Sequence, residues 1–204
     1  MNAIIDILAQ GGVVVYPTET LYALGCMATN HAAAQRVSAI KGRPHSKPLP
    51  VLIGNLGQLG LVTHDAGGDL LSLAEAFWPG PVSLLVRGHA ELSPLVRDEE
   101  GYTSVRVSSH PTAARLCAHL GTPLVATSAN RSGNPGVARP DDLDPLLLDK
   151  VDAVLADKPW PSGGDPSTVV RIVGPGRLKV LRLGAVPVKG LEAAGFTCDY
   201  LRQV

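Results

Sequence analysis

The chain has 204 residues, with 18 Lys and Arg against 18 Asp and Glu, so its formal net charge is zero. Hydrophobic residues supply 45% of it and charged ones 18%, which excludes a solvated disordered tail and argues against attachment to nucleic acid by bulk charge. A chain of this length buries about 70% of its unfolded surface and needs no disulfide or metal staple.

Ile4, Ile5, Ile7 and Leu8 fall at helical spacing and predict a helix over residues 3–9, stopped by Gly11-Gly12. Asp6 inside that stretch, and no basic flank, separate it from a secretory signal. Val13–Tyr16 reads as a buried strand ended by Pro17. A helix follows over 31–41, with Asn30 as N-cap and Ala33, Val37 and Ile40 on one face, and Arg43-Pro44 breaks it. Leu49–Ile53 returns to strand. A helix over 68–77, a turn at Trp78-Pro79-Gly80-Pro81 and a strand over Val82–Val86 come next. Strands at Ser104–Val107 and Leu124–Ala126 flank a helix over Pro111–Leu120. Val151–Leu155, Thr168–Ile172 and Leu178–Leu183 complete the predicted strands, while Asp141–Lys150 reads as a short helix or an acidic loop and 157–166 as loop. The alternation early and the strands late predict an α/β fold with a mixed sheet. No apolar run approaches the ~18 residues that span a bilayer.

Zero net charge hides a pattern. Residues 31–50, 101–140 and 166–204 each carry +4, while 1–30 carry −2 and both 51–100 and 141–165 carry −5. Either this is ordinary surface patterning or folding gathers the basic blocks at one anionic ligand.

Four segments hold chemistry-bearing side chains. Tyr16-Pro17-Thr18-Glu19-Thr20 follows a strand, where hydroxyls and a carboxylate suit either a ligand or a plain turn. Lys41-Gly42-Arg43-Pro44-His45-Ser46-Lys47-Pro48 puts cations at a helix end, as C-terminal capping or as a phosphate site. Thr127-Ser128-Ala129-Asn130-Arg131-Ser132-Gly133-Asn134-Pro135-Gly136 lets backbone N–H groups approach an anion, or simply turns the chain. Asp165-Pro166-Ser167-Thr168 precedes a strand, and Arg182 sits in an apolar one, as does Arg106; each arginine needs a buried carboxylate or a phosphate.

Other signatures are missing. Neither GxxxxGK[ST] nor GxGxxG occurs, and the six histidines, at 31, 45, 64, 89, 110 and 119, form no HxH or HExxH. His110 before Pro111 reads as a helix-start residue. Cys26, Cys117 and Cys198 are far apart, without a CxxC pair, and fit a reducing cytosol. An aromatic content of 4% argues against a base-stacking surface.

Taken in order, YPTETLYALGC, KGRP, SVR…HP, PLVATSANRSG and PSTVV…LRLGA resemble the YrdC/TsaC family of L-threonylcarbamoyladenylate synthases, from about Gly11 to Ala185. The family's KxR…SxN signature stands here as Lys41, Arg43, Ser128 and Asn130. The resemblance implies one YrdC-like domain over 1–204, of the compact bacterial form, with a curved mixed β-sheet, flanking helices and a large concave cationic cavity. It implies that L-threonine, bicarbonate or CO2, and ATP give threonylcarbamoyl-AMP and pyrophosphate, in the cytoplasm. Mg2+ would accompany ATP, with no metal held by the protein itself. The product would pass to tRNA-modifying partner proteins; direct tRNA binding and oligomeric state stay open.

By the same resemblance, Lys41 and Arg43 are catalytic, and they join Tyr102, Ser128, Asn130, Gly136 and Arg182 in binding ATP. Thr18, Arg106, Ala126 and Ser167 surround threonine, with Arg106 pairing its carboxylate. Pro166 stands where the family often has Glu or Asn before the Ser-Thr pair. The alternatives are an RNA-binding module of the same fold and a YciO-like paralogue, whose kind tends to lose the KxR…SxN set. A dihydroxybutanone-phosphate synthase would need an acidic metal site that the sequence does not offer.

Overall fold

Short apolar runs punctuated by glycine and proline give short strands, and the computed structural model arranges them in two sheets. It describes residues 1–43, 46–65 and 67–200, without the side chain of Tyr200. The expected break at Pro44, and His45 beside it, lie outside the described residues. In chain order the elements are α1 (Asn2–Ala9), β1 (Val14–Pro17), β2 (Tyr22–Gly25), α2 (His31–Lys41), β3 (Val51–Ile53), α3 (Gly68–Phe77), β4 (Val82–Arg87) and β5 (Tyr102–Val107). Then follow α4 (Pro111–Leu120), β6 (Leu124–Val125), β7 (Thr127–Ser128), α5 (Pro145–Leu148), β8 (Ala153–Val154), β9 (Thr168–Gly174), β10 (Arg177–Arg182), α6 (Val188–Ala193) and β11 (Thr197–Tyr200).

The expected mixed sheet is split in two. A four-stranded sheet has the order β7-β2-β1-β8 and a seven-stranded one the order β11-β10-β9-β4-β5-β3-β6. Parallel and antiparallel pairs occur in both. In the small sheet, β1 and β2 form a hairpin in which Val14 faces Gly25 and Pro17 faces Tyr22, so residues 18–21 make its tip. In the large sheet, Arg106 of β5 lies opposite Leu52 of β3, and Ser83 of β4 opposite Val169 of β9.

The helices start and stop where their chemistry dictates. Asn30 Oδ1 accepts from the Ala33 N–H at 3.0 Å to open α2, and Gly42, at φ 58°, closes it in the left-handed region that glycine tolerates. Pro111 sits in the first turn of α4, where its missing N–H is harmless. The acidic segment after Asp141 resolves into a short 3-10 turn and α5.

Four of these elements went unpredicted. In β2, four residues are buried with no alternation to mark a strand, and β7 is two residues inside a polar run. Both are strands because neighbours pair with them. The α6–β11 unit adds a parallel edge strand beside β10. Among the described residues, no helix is long and apolar enough to cross a membrane.

The core has two parts. The larger one gathers Val13, Val15, Leu24, Val37, Leu73, Leu84, Val105 and Val170 beneath both sheets. The smaller one packs Leu8 of α1 and Leu116 of α4 against Val14, Tyr16, Leu52 and Leu124. Burial pushes the Cys117 thiol up to about 12, where it is an inert filler.

Where the two sheets meet, the backbones touch. A Cβ on Gly25 would lie 1.9 Å from the Val125 carbonyl oxygen, and Tyr16 Oη donates to that oxygen at 2.8 Å. Gly25→Ala must therefore push β2 off β6. It should lower stability by at least about 2 kcal/mol, read from urea unfolding, because overpacking against backbone cannot be relieved by a rotamer change.

Candidate active site

A cleft opens between the hairpin tip of the small sheet and strands β3, β4 and β5 with the ends of β9 and β10. It encloses about 620 Å3, part of it open to solvent, and Thr18, Leu21, Arg43, Ser83, Arg106, Ala126, Ser128, Ser167 and Arg182 line it. The three basic blocks of the sequence thus supply its cations. Thr18 stands at the hairpin tip, its hydroxyl donating to Leu21 O at 2.7 Å.

Lys41 closes the C-terminal end of α2 and is 3% exposed. Its ammonium donates to Ser128 O at 2.6 Å, Asn130 O at 2.8 Å and Asn130 Oδ1 at 3.0 Å. An ammonium has three N–H groups, so these oxygens, with Ser128 Oγ at 3.3 Å, saturate it. Burial, aided by the charge of Arg43, pushes its pKa down to about 8. Lys41 shapes the Ser128–Asn130 loop from behind the cleft wall. Asn130 is absorbed in the same loop: its amide N–H donates to Arg131 O at 3.0 Å.

Arg43 and Arg182 face the cleft itself. Arg43 Nε donates to Lys47 O at 2.7 Å and its Nη2 to Pro48 O at 2.8 Å. Arg182 Nη2 donates to Ser167 O at 2.7 Å and Ser167 Oγ at 3.1 Å. Burial pulls both guanidinium pKa values down, and for Arg182 the charges of Arg106 and Arg43 add to the effect. Ser167 Oγ also lies 2.9 Å from Ser83 Oγ, a partner that nothing in the sequence of β4 announced.

Arg106 is held differently. Its Nη1 pairs with the Glu19 carboxylate, which also accepts from Ser108 Oγ. Burial works against the charged Glu19 carboxyl, but the Arg106 charge and the two side-chain hydrogen bonds outweigh it and hold its pKa below the usual value. Glu19 lies in the first of the segments marked in the sequence but was given no role in the site, and Ser108 was not singled out.

Tyr102, expected along the nucleotide site, does not line the cleft. It starts β5, four residues before Arg106, which places it about 13 Å along the strand from that arginine. Its ring packs on the guanidinium groups of Arg171, at 4.0 Å, and Arg87, at 4.9 Å, and its hydroxyl accepts from Arg171 Nη2 at 2.8 Å. It lines a separate hollow with His64, Asp69 and Arg171. Gly136 abuts the hairpin tip: a Cβ there would sit 2.4 Å from Leu21 Cδ1.

His110 ties this region to its surroundings. Its Nδ1 accepts from the Thr112 N–H at 3.2 Å, capping α4, and its Nε2 donates to Pro159 O at 2.9 Å. Burial lowers its pKa from the usual value and outweighs the Pro159 carbonyl and the Glu19 charge, which favour the protonated ring. A base with a depressed native pKa takes up its proton more readily unfolded, so stability falls as pH drops below about 6.5 toward the native value. Urea unfolding at pH 7 and pH 5 should show that loss in the wild type. His110→Asn, which caps without titrating, should show less of it.

With the site's geometry in hand, comparisons agree on its kinship. The Sua5/YciO/YrdC family model, described as telomere recombination, matches residues 6–184. The chain is 38% identical to the threonylcarbamoyl-AMP synthase of Stenotrophomonas maltophilia over 157 residues, covering 76% of this chain and 84% of that one. It is 36% identical to the enzyme of that name from Pseudoalteromonas translucida over 169 residues, covering 82% and 90%. The structure of P. abyssi Sua5 complexed with L-threonine superposes with a TM-score of 0.88 at 26% identity, over 97% of this chain and 58% of the longer Sua5 chain. E. coli YciO superposes with a TM-score of 0.81 at 26% identity, over 93% and 91%. The chain belongs to the Sua5/YciO/YrdC family.

Proposed function

We propose that this protein is an L-threonylcarbamoyladenylate synthase, joining L-threonine, bicarbonate and ATP into threonylcarbamoyl-AMP, pyrophosphate and water. The observation that carries the reading is a cleft in which Arg43 and Arg182 hold their places on neutral oxygens and keep their charge for a ligand, beside an arginine already paired to a carboxylate. Relatives of that name, 36–38% identical over most of the chain, support the reading. YciO shares the fold too, but Lys41, Arg43, Ser128 and Asn130 together make the cation-and-loop unit that a triphosphate requires.

The chemistry follows from charge. Bicarbonate gives CO2 and hydroxide, the neutral amine of threonine adds to the CO2 and loses a proton that forms water with that hydroxide, and the carbamate oxygen attacks the α-phosphorus as pyrophosphate leaves. Such a transfer depends on positioning and on stabilising the leaving anion, with little for a side-chain acid or base to do. In this reading Arg43 and Arg182 take phosphate oxygens, and Lys41 and Asn130 hold the loop that presents Ser128. Gly136 leaves room for the hairpin tip beside the nucleotide. Thr18, Ala126, Ser167 and Arg106 receive threonine, Arg106 through its carboxylate. In this reading Mg2+ would come with ATP, held by its phosphates and water, and would supply charge neutralisation for pyrophosphate as the leaving group. The product then serves partner proteins that modify tRNA in the cytoplasm.

Pyrophosphate release, measured with ATP and Mg2+ while threonine and bicarbonate are omitted in turn, should need both. Release indifferent to threonine overturns the reading. Arg43→Ala and Arg182→Ala should each lower kcat/KM for ATP by about 10- to 100-fold, the loss of a charge-assisted hydrogen bond to phosphate. Thermal unfolding of these two variants should stay near that of the wild type. Lys41→Met should lose activity and stability together, because it strips three buried oxygens of their donor.

A further inference from the structure

Lys41, Arg43 and Arg182 all end on neutral oxygens of Ser128, Asn130, Lys47, Pro48 and Ser167. Arg106 ends on a carboxylate. Glu19 reaches it from the hairpin tip of the small sheet, and Arg106 reaches back from β5 of the large one, so the pair bridges the two sheets. Both side chains are deeply placed, at 9% exposure for Arg106 and 13% for Glu19.

Glu19 is fixed from three directions. Arg106 Nη1 donates to one carboxylate oxygen and Ser108 Oγ to the other, while the Ser162 N–H donates to its carbonyl at 3.0 Å. Arg106 lines the cleft, but Glu19 and Ser108 do not. The carboxylate therefore stands behind the guanidinium, leaving the remaining N–H groups of Arg106 directed past it.

This arrangement divides the cleft electrically. A triphosphate is held best where positive charge is uncompensated, as at Arg43 and Arg182. A free amino acid carries a carboxylate and an ammonium and has no net charge. It is held best by a guanidinium fork whose own charge is cancelled nearby. We propose that Glu19 is a positioning and specificity residue: it aims Arg106 and neutralises that corner, so that the corner accepts a zwitterionic amino acid and turns phosphate away. The inference rests on threonine being a substrate, as the functional reading has it.

The test is titration calorimetry of the intact protein with inorganic pyrophosphate alone and with L-threonine alone, on the wild type, Glu19→Gln and Glu19→Asp. Glu19→Gln keeps the shape and one acceptor oxygen, turns the other into an NH2 that can donate to Ser108 Oγ, and frees the charge of Arg106. It should weaken threonine about tenfold or more and tighten pyrophosphate about three- to tenfold. Glu19→Asp keeps the charge, so its pyrophosphate affinity should stay within about twofold of the wild type. A residue that only braces the fold would weaken both ligands alike, and that result overturns the proposal, as does unchanged pyrophosphate affinity in Glu19→Gln. If Glu19→Gln does not fold, Ser108→Ala decides: threonine should weaken while pyrophosphate holds, and parallel loss or no change in threonine binding overturns the proposal. A wild-type protein that binds pyrophosphate but ignores threonine sinks the substrate assignment, and the pyrophosphate arm still decides what Glu19 does.

Discussion

A positive charge in the wall of a cleft, buried like Lys41, half-buried like Arg43 or exposed like Arg182, is solvated in part by protein rather than by water. Around this cleft the solvent is mostly protein oxygen without charge: the carbonyls of Ser128 and Asn130 for Lys41, those of Lys47 and Pro48 for Arg43, and that of Ser167 for Arg182. Carboxylates would hold the same side chains more firmly and would cancel the charge that an anionic ligand needs. Much of the local architecture serves this requirement. Three chain segments must present carbonyls at the rim: Ser128 does so from within β7, Ser167 from just before β9, and Lys47-Pro48 from the run that leads to β3.

The neutrality of the whole chain is made of unlike parts. Its acidic side chains stay outside, with Glu99, Glu100, Asp141, Asp142, Asp149, Asp157 and Asp165 all exposed. Glu19 is the exception that reaches the cleft region. The segment charges could be read from the sequence, and so could their convergence as one of two options, but only packing shows that residues 41–43, 106 and 182 meet.

Legibility followed the range of the controlling interaction. The α2 and α4 helices could be read because their caps, Asn30 and His110, act within three residues. Strand β2 could not: Tyr22–Gly25 is too short to show a period and is a strand only because β1 folds back on it. Among site residues, Arg43, Arg106, Ser128, Ser167 and Arg182 carried a motif that marked them and stand in the cleft wall. Ser83 and Ser108 carried none, since a serine in a strand is unremarkable until a hydroxyl or carboxylate lies beside it. Tyr102 shows the converse, a motif neighbour that strand geometry carries to the far end of β5.

Lys41 and its acceptors are 87 and 89 residues apart in the chain, Glu19 and its two donors 87 and 89, and Ser83 and Ser167 84. These hydrogen bonds close long loops, unlike the local ones of Arg43 and Arg182, and loop closure weighs against them until other contacts bring the ends together. No hairpin or helix pair on its own contains the cleft. It comes into being only with both sheets in place, so a nascent chain that has emerged as far as α4 has most of the cations and no place to bind an anion. Ligand affinity in this protein is accordingly a report on completed folding, and whatever binds the cleft draws the whole two-sheet assembly toward its native state.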